Sequence, residues 1–314
     1  MARIPAIAHE PVMVAEVLEV LGAAPGGVLL DGTVGTGGHA LAWLARTAPG
    51  GRVIGLDRDP GALARARERL AGAAERVLLV HGDWREAPAL LAEAGEATPT
   101  AILLDLGIGT HQVDDPDRGF SFRHDAPLDM RFDPTSPGPS AAEILRRAPE
   151  PELARIFREY GEERAARRLA RRVVEERRRR PLETTGEFAR LVHETLGPRR
   201  AGRIDPATRA FQALRIAVNR ELEGMGEALE ALVEMLPRGG RIAVLAYHSL
   251  EDRIVKRTFR ALAEPCRCRR GDPCTCGARQ WLELRERRAR RPSDEEVARN
   301  PRARSARLRW GVRR

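Results

Sequence analysis

Of the 54 lysine and arginine residues in this 314-residue chain, Lys256 alone is lysine. A GC-rich coding sequence would impose such a bias, which explains the residue type but not where the charges fall. Long apolar runs are missing as well. No stretch approaches the roughly 18 residues that a membrane-spanning helix needs, and the first residues hold no signal-like apolar segment, so a cytoplasmic protein without membrane contact is expected. Cysteine is confined to Cys266, Cys268, Cys274 and Cys276. That excludes a disulfide framework spread through the fold. No internal repeat is visible.

What is present suffices for one large domain or two modest ones, with an ordinary hydrophobic fraction of 42%. The formal net charge is +9, and its distribution is uneven. Residues 253–314 hold 20 basic and 7 acidic side chains, or +13, so the remainder sums to −4. A basic end of this kind fits contact with phosphates, where each neutralised phosphate releases counterions.

Along the chain, apolar residues at helical spacing from Val12 to Leu21 close at Gly22. A short buried strand follows over 27–31, then a glycine-rich turn and a helix from His39 to Arg46. Strands are expected over Arg52–Asp57, from Val77 and through Ala101–Gly107, alternating with helices over Pro60–Leu70 and Ala87–Ala94. That order predicts a parallel sheet covered by helices on both faces, with ligands at the carboxyl ends of the strands. Asp31, Asp57, Asp83 and Asp105 all fall there, and four carboxylates at one rim suit a site better than a core. Beyond Asp133 the pattern turns helical: one long Arg/Glu helix over 151–180, another over 185–197, and a helix over Phe211–Leu236. A last sheet strand starts at Arg241.

The segment ILLDLGIGTHQVDDPDRGFSFRHDAPLDMRFD, from Ile102 to Asp133, runs a buried strand into a long polar loop that still holds Phe120, Phe122 and Phe132. Loops this long between ordered elements tend to be functional, and the aromatics argue against a solvated linker. The loop resembles the signature of the ribosomal RNA small subunit methyltransferase H family. Further matches are HEPVMVAEVLEVL, DGTVGTGGHA, PATRAFQALRIAVNRELE from Pro206, GGRIAVLAYHSLEDRIVKR from Gly239 and NPRARSARLR from Asn300, in order over nearly the whole chain. The resemblance implies a Rossmann-like class I methyltransferase sheet, over 1–112 and 206–314, with an all-helical insert over 113–205 that recognises substrate. The implied reaction moves the methyl group of S-adenosylmethionine to N4 of a cytidine in the decoding region of small-subunit (16S) ribosomal RNA. The substrate would be the assembled subunit; a homodimer is left open.

The resemblance also names candidates. Gly37, Gly38, His39, Asp57, Trp84, Asp105 and Gln112 would contact the cofactor, and Asp105 is the candidate catalytic residue. From the residues alone, Asp57 stands at a spacing suited to ribose hydroxyls or to capping the helix at Pro60, and Trp84 could stack on adenine or pack in a core. Asp105 could accept the amino hydrogens of a cytosine and so orient the nitrogen lone pair. Gly35, Gly37 and Ala40 equally satisfy a relaxed dinucleotide fingerprint, which leaves a nicotinamide oxidoreductase open.

Arg118, Phe120, Phe122, Arg123, Asp129 and Arg131 either hold an extruded base between cations and rings or fasten the loop to its own domain. Phe211, Leu214, Val218 and Leu222 form a buried stripe, leaving Arg209, Gln212, Arg215 and Asn219 as polar candidates. His248 could act as a base or be structural. The spacing C-x-C-x5-C-x-C at Cys266, Cys268, Cys274 and Cys276 fits a structural zinc site. One departure from the family pattern stands out: Gly109, Thr110 and His111 replace the usual Ser-Ser-Pro. A noncatalytic assembly factor that keeps the cofactor pocket is therefore the alternative.

Overall fold

A computed structural model of the chain describes residues 11–96, 98–198, 204–266, 268 and 275–314. In chain order the first elements are α1 (Val14–Leu21), β1 (Val28–Asp31), α2 (Gly38–Arg46), β2 (Arg52–Asp57), α3 (Pro60–Arg69), β3 (Val77–His81), α4 (Ala87–Glu93) and β4 (Ala101–Asp105). The strict alternation read from periodicity is thus present, with ends within two residues of expectation. Local chemistry sets the boundaries. α1 stops at Gly22, whose φ of 65° suits glycine, and α3 starts where the Asp59 carboxylate accepts the N–H of Gly61 at 2.9 Å, with Pro60 at the first helical position.

Then come α5 (Thr110–Asp114), α6 (Ala141–Arg147), α7 (Glu150–Glu159), α8 (Ala166–Arg177), α9 (Thr185–Leu196) and α10 (Pro206–Asn219), followed by α11 (Met225–Met235), β5 (Arg241–Ala246), α12 (Ser249–Ala263), β6 (Leu282–Glu283), α13 (Asp294–Arg299) and β7 (Arg307–Arg313). Two expected long helices are each broken in two. The 151–180 helix reverses between α7 and α8, where Gly161 sits so tightly that a Cβ would lie 2.7 Å from the Phe157 carbonyl and Glu162 takes a left-handed φ of 48°. The 211–236 helix breaks between α10 and α11, at Arg220 (φ 50°) and Gly224 (φ 63°). Hydrophobic period runs across both breaks, so periodicity alone merged them.

The strands form a seven-stranded sheet in the order β3-β2-β1-β4-β5-β7-β6. β3, β2, β1, β4 and β5 run parallel, while β7 inserts antiparallel beside β5. The expectation of a parallel sheet is therefore corrected at one edge: β7 and β6 come from the basic tail, where Leu308 and Gly311 are buried among arginines and no two-residue alternation marks a strand. The strand order reverses between β1 and β4, which is where a doubly wound sheet opens its ligand crevice. Register places Asp31 opposite Leu103 and Asp105 opposite Leu245.

The chain divides into two compact units, one running to Gly107 and resuming at Gly224–Arg314, the other spanning Ile108–Glu223. α10, which begins at the 205/206 limit read from the sequence, packs on α6, α7 and α9. In the first unit the core includes Leu29, Trp43, Val53, Leu103, Leu245 and Leu308. In the second it gathers Phe157, Leu169, Phe188, Phe211 and Leu214. Among the described residues, no helix is long and apolar enough to cross a membrane.

Candidate active site

The turn after β1 is closely packed at the rim of the first unit. A Cβ on Gly32 would lie 2.5 Å from the Leu104 side chain and 2.8 Å from Trp84 Cβ, so glycine lets the turn pass between β4 and the segment after β3. Gly35 and Gly37 take φ values of 53° and 81°. Gly37 precedes α2 directly, and a Cβ on Gly38 would press within 2.8 Å of Pro11. Both glycines are thus required by the backbone and its packing, whatever else they touch.

Asp57, at the end of β2, accepts the N–H of Gly35 on Oδ2 at 2.8 Å and that of Asp59 on Oδ1 at 2.9 Å. The helix-capping reading belongs to Asp59 instead. A carboxylate can accept about four hydrogen bonds, so these two are compatible with a ribose hydroxyl. Trp84 follows β3 in a short 3-10 turn and is only 9% exposed. The nearby Asp83 is occupied structurally. Burial opposes its ionisation, but hydrogen bonds from the Arg85 side chain and backbone, with the charges of Arg85 and Arg58, hold its carboxyl below the usual range.

Asp31 is 1% exposed. Burial is the main reason its carboxyl is pushed up to about 8; the Thr33 N–H opposes this, and the like charges of Asp105 and Asp57 add to it.

Asp105 closes β4. Its Oδ1 accepts the Tyr247 hydroxyl at 2.7 Å, its Oδ2 lies 3.6 Å from His39 Nδ1, and its N–H donates to Thr33 Oγ1 at 2.6 Å. His39 is itself fixed: Nε2 contacts the Val12 carbonyl at 2.9 Å, and since a carbonyl only accepts, that nitrogen carries the hydrogen. Tyr247 and Thr33 were missed by sequence reasoning. A signal for Tyr247 exists, because β4 and β5 end in register and a residue just after β5 lands beside the end of β4.

His248, the alternative base, serves α12. Its Nδ1 accepts the Glu251 N–H at 3.4 Å and its Nε2 lies 3.0 Å from Glu251 Oε1, while Glu251 Oε2 accepts the Tyr247 N–H at 3.0 Å.

Gln112 lies in the second unit, buried, with its side-chain oxygen accepting the Gly109 N–H at 2.9 Å. The departing Gly109-Thr110-His111 segment is thereby the start of α5. The long loop is fastened within its own unit: Phe120 stacks on Phe132 with centroids 5.8 Å apart, and Phe122 tilts against Phe211 at 5.0 Å. Arg118 donates to the carbonyls of Arg131 and Phe132 at 3.0 and 2.7 Å, and Arg131 pairs with Asp129 at 2.7 Å. Asn219 accepts the Phe132 N–H and donates to the Met130 carbonyl, each at 2.7 Å. Arg215 pairs with Glu221 at 2.8 Å.

Part of the basic tail is also internal. Arg307 and Arg309 both reach Asp252 at 2.7 Å, and Arg279 and Arg313 lie 4.4 and 4.2 Å from the Trp281 ring. The sulfurs of Cys266, Cys268 and Cys276 lie within 4.8 Å of one another; Cys274 is outside the described residues.

A sequence profile described as the MraW methylase family matches residues 6–314. Among similar proteins, one from Syntrophotalea carbinolica is 52% identical over 96% of this chain and 96% of its own length. Another from Heliobacterium modesticaldum is 49% identical over 96% and 97%, and one from Thermomicrobium roseum 50% identical over 97% and 93%. All three are named ribosomal RNA small subunit methyltransferase H.

Proposed function

This chain belongs to the MraW methylase family, and on that premise we propose that it methylates the exocyclic N4 of one cytidine in the decoding region of small-subunit ribosomal RNA, with S-adenosylmethionine as methyl donor. The observation that carries the reading is Asp105: a carboxylate at the strand-order reversal, braced by Tyr247 and beside His39.

The residues at the rim fit the donor. Asp57 would accept ribose hydroxyls next to the backbone of the glycine turn, Trp84 stands at the end of β3 where an aromatic would meet adenine although it is only 9% exposed, and Gly37, Gly38 and His39 line the start of α2. The carboxylates of Asp57 and Asp105 give the rim a negative field suited to a cation. When bound, S-adenosylmethionine supplies a methyl group on a positively charged sulfur, which becomes neutral as the group leaves.

Asp105 then accepts a hydrogen of the target amine. The nitrogen lone pair of an aminopyrimidine is delocalised into the ring, so fixing the amino hydrogens turns that pair towards the methyl carbon. The surplus proton of the methylated amine would then leave the nitrogen to Asp105 or to water.

The substrate is the assembled small subunit in the cytoplasm: the second unit and the basic tail offer more recognition surface than one nucleotide requires. The cysteines hold a structural zinc. Tetrahedral zinc–sulfur bonds of about 2.3 Å separate sulfurs by about 3.8 Å, and Cys266 and Cys276 sulfurs lie 3.6 Å apart.

The deciding experiment is methyl transfer from labelled S-adenosylmethionine to purified small subunits lacking the modification, read by nucleoside mass spectrometry. N4-methylcytidine at one site is the expected product. Cofactor binding without product would convert the reading to a noncatalytic assembly factor disabled around Gly109-Thr110-His111.

A further inference from the structure

An aspartate at a strand end ordinarily rotates freely about its terminal bond, since that torsion has a broad, roughly two-fold profile. Asp105 does not have that freedom. Its Oδ1 takes the Tyr247 hydroxyl at 2.7 Å, a charge-assisted bond, and its Oδ2 faces His39 Nδ1 at 3.6 Å. Its backbone is pinned by Thr33 Oγ1 at 2.6 Å.

The braces are themselves braced. Tyr247 follows β5 directly and donates its N–H to the buried Glu251 at 3.0 Å. Its ring packs over Gly107, whose φ is 103° and where a Cβ would come within 3.3 Å of that ring. Burial, then the negative charges and hydrogen bond of Asp105 and the charges of Glu251 and Glu296, keep the phenol protonated well above its ordinary range, so it remains a donor. His39 is held through the Val12 carbonyl.

We propose that Tyr247 is a positioning residue for methyl transfer: its hydroxyl holds the Asp105 carboxylate so that the target amine meets one fixed orientation. The proposal rests on the reading that Asp105 receives that amine. A displacement of about 1 Å at such a group can cost about 100-fold in rate, so bracing of this kind is expected to act on turnover rather than on cofactor affinity.

The test compares full-length wild type, Tyr247→Phe and Asp105→Asn on small subunits lacking the modification, with S-adenosylmethionine binding measured by calorimetry. Tyr247→Phe should lower kcat by about 10- to 100-fold, leave cofactor affinity within about two-fold, and move the acidic limb of the kcat profile to higher pH, because the charged form of Asp105 loses a hydrogen bond. A purely structural tyrosine would move melting temperature without moving that limb. Wild-type turnover in Asp105→Asn would overturn the underlying reading of Asp105. An inactive Asp105→Asn beside a Tyr247→Phe with unchanged kcat and limb would overturn the positioning proposal alone.

Should Tyr247→Phe fold poorly, Tyr160→Phe leaves Tyr247 as the remaining one of two tyrosines. Substituting 3-fluorotyrosine there makes a stronger donor in nearly unchanged packing. The acidic limb should then move to lower pH; an unmoved limb would overturn the proposal.

Discussion

Asp57 at the end of β2 accepts the Gly35 N–H from the turn after β1 at 2.8 Å, tying the two strand ends that frame the glycine turn. Asp57→Ala removes that tie together with the proposed acceptor for ribose hydroxyls. Hydrogen bonds to a charged group contribute about 1.5 to 3 kcal/mol, so affinity for S-adenosylmethionine should fall by about 10- to 100-fold in calorimetry. Unchanged affinity would remove Asp57 from the cofactor site.

The raised carboxyl of Asp31 makes stability depend on pH. Its ordinary value is 3.8 and its folded value about 8, so between these limits the folded state holds a proton that the unfolded state has released. Stability is fully present below the lower limit and is lost as pH rises towards the upper one, at up to about 1.4 kcal/mol per pH unit. Urea unfolding at pH 6 and pH 8 should show wild type losing about 2 kcal/mol more than Asp31→Asn. Parallel losses in the two proteins would mean that Asp31 is ionised in the fold.

Asp252 has the opposite sign. Burial opposes its charge, yet hydrogen bonds from Arg309 and Arg307, with their charges, hold the carboxyl below its usual range. Its contribution is therefore present above the ordinary aspartate value and is lost as pH falls through the depressed one. Because Arg307 is partly exposed, the solvent discounts the pair, and Asp252→Asn should destabilise by about 2 kcal/mol. A denaturation midpoint within error of wild type would show that α12 and β7 are held together without this carboxylate.

For the cysteines, elemental analysis of the purified chain should give about one zinc per molecule, as a tetrahedral thiolate site would hold. Cys266→Ser should lower both metal content and melting temperature while kcat stays close to wild type. Metal-free protein with four freely reactive thiols would refute the site.

Several features are legible in the sequence. The alternation from Val14 to Asp105 follows from period: buried parallel strands are continuous apolar runs, and their helices show spacing near 3.6. Asp57 and Asp105 at strand ends, and the capped starts of helices such as α3, also depend on neighbours close in sequence. The family motifs carried the rest of the site list.

The breaks at Glu162 and Arg220 leave no mark on the hydrophobic period; their signals in the sequence are Gly161 and Gly224, glycines inside the expected helices, which a reading by period alone passes over. The sequence offered two readings of Phe120, Phe122 and Phe132, holding a base or fastening the loop, and could not name the partners such as Asn219 and Phe211, far away in the chain, that fasten it. Likewise the tail's charge announced phosphate contact, whereas Arg307 and Arg309 close on Asp252.

By itself, then, the sequence determined the alternating elements from Val14 to Asp105, the glycine turn and the carboxylates at the strand ends, because these are fixed by side-chain period and backbone freedom within a few residues. Only the tertiary structure decided that Asp105 meets Tyr247, 142 positions later, and that burial pushes the Asp31 carboxyl up. Both depend on strand register and burial, which arise only when distant segments pack together.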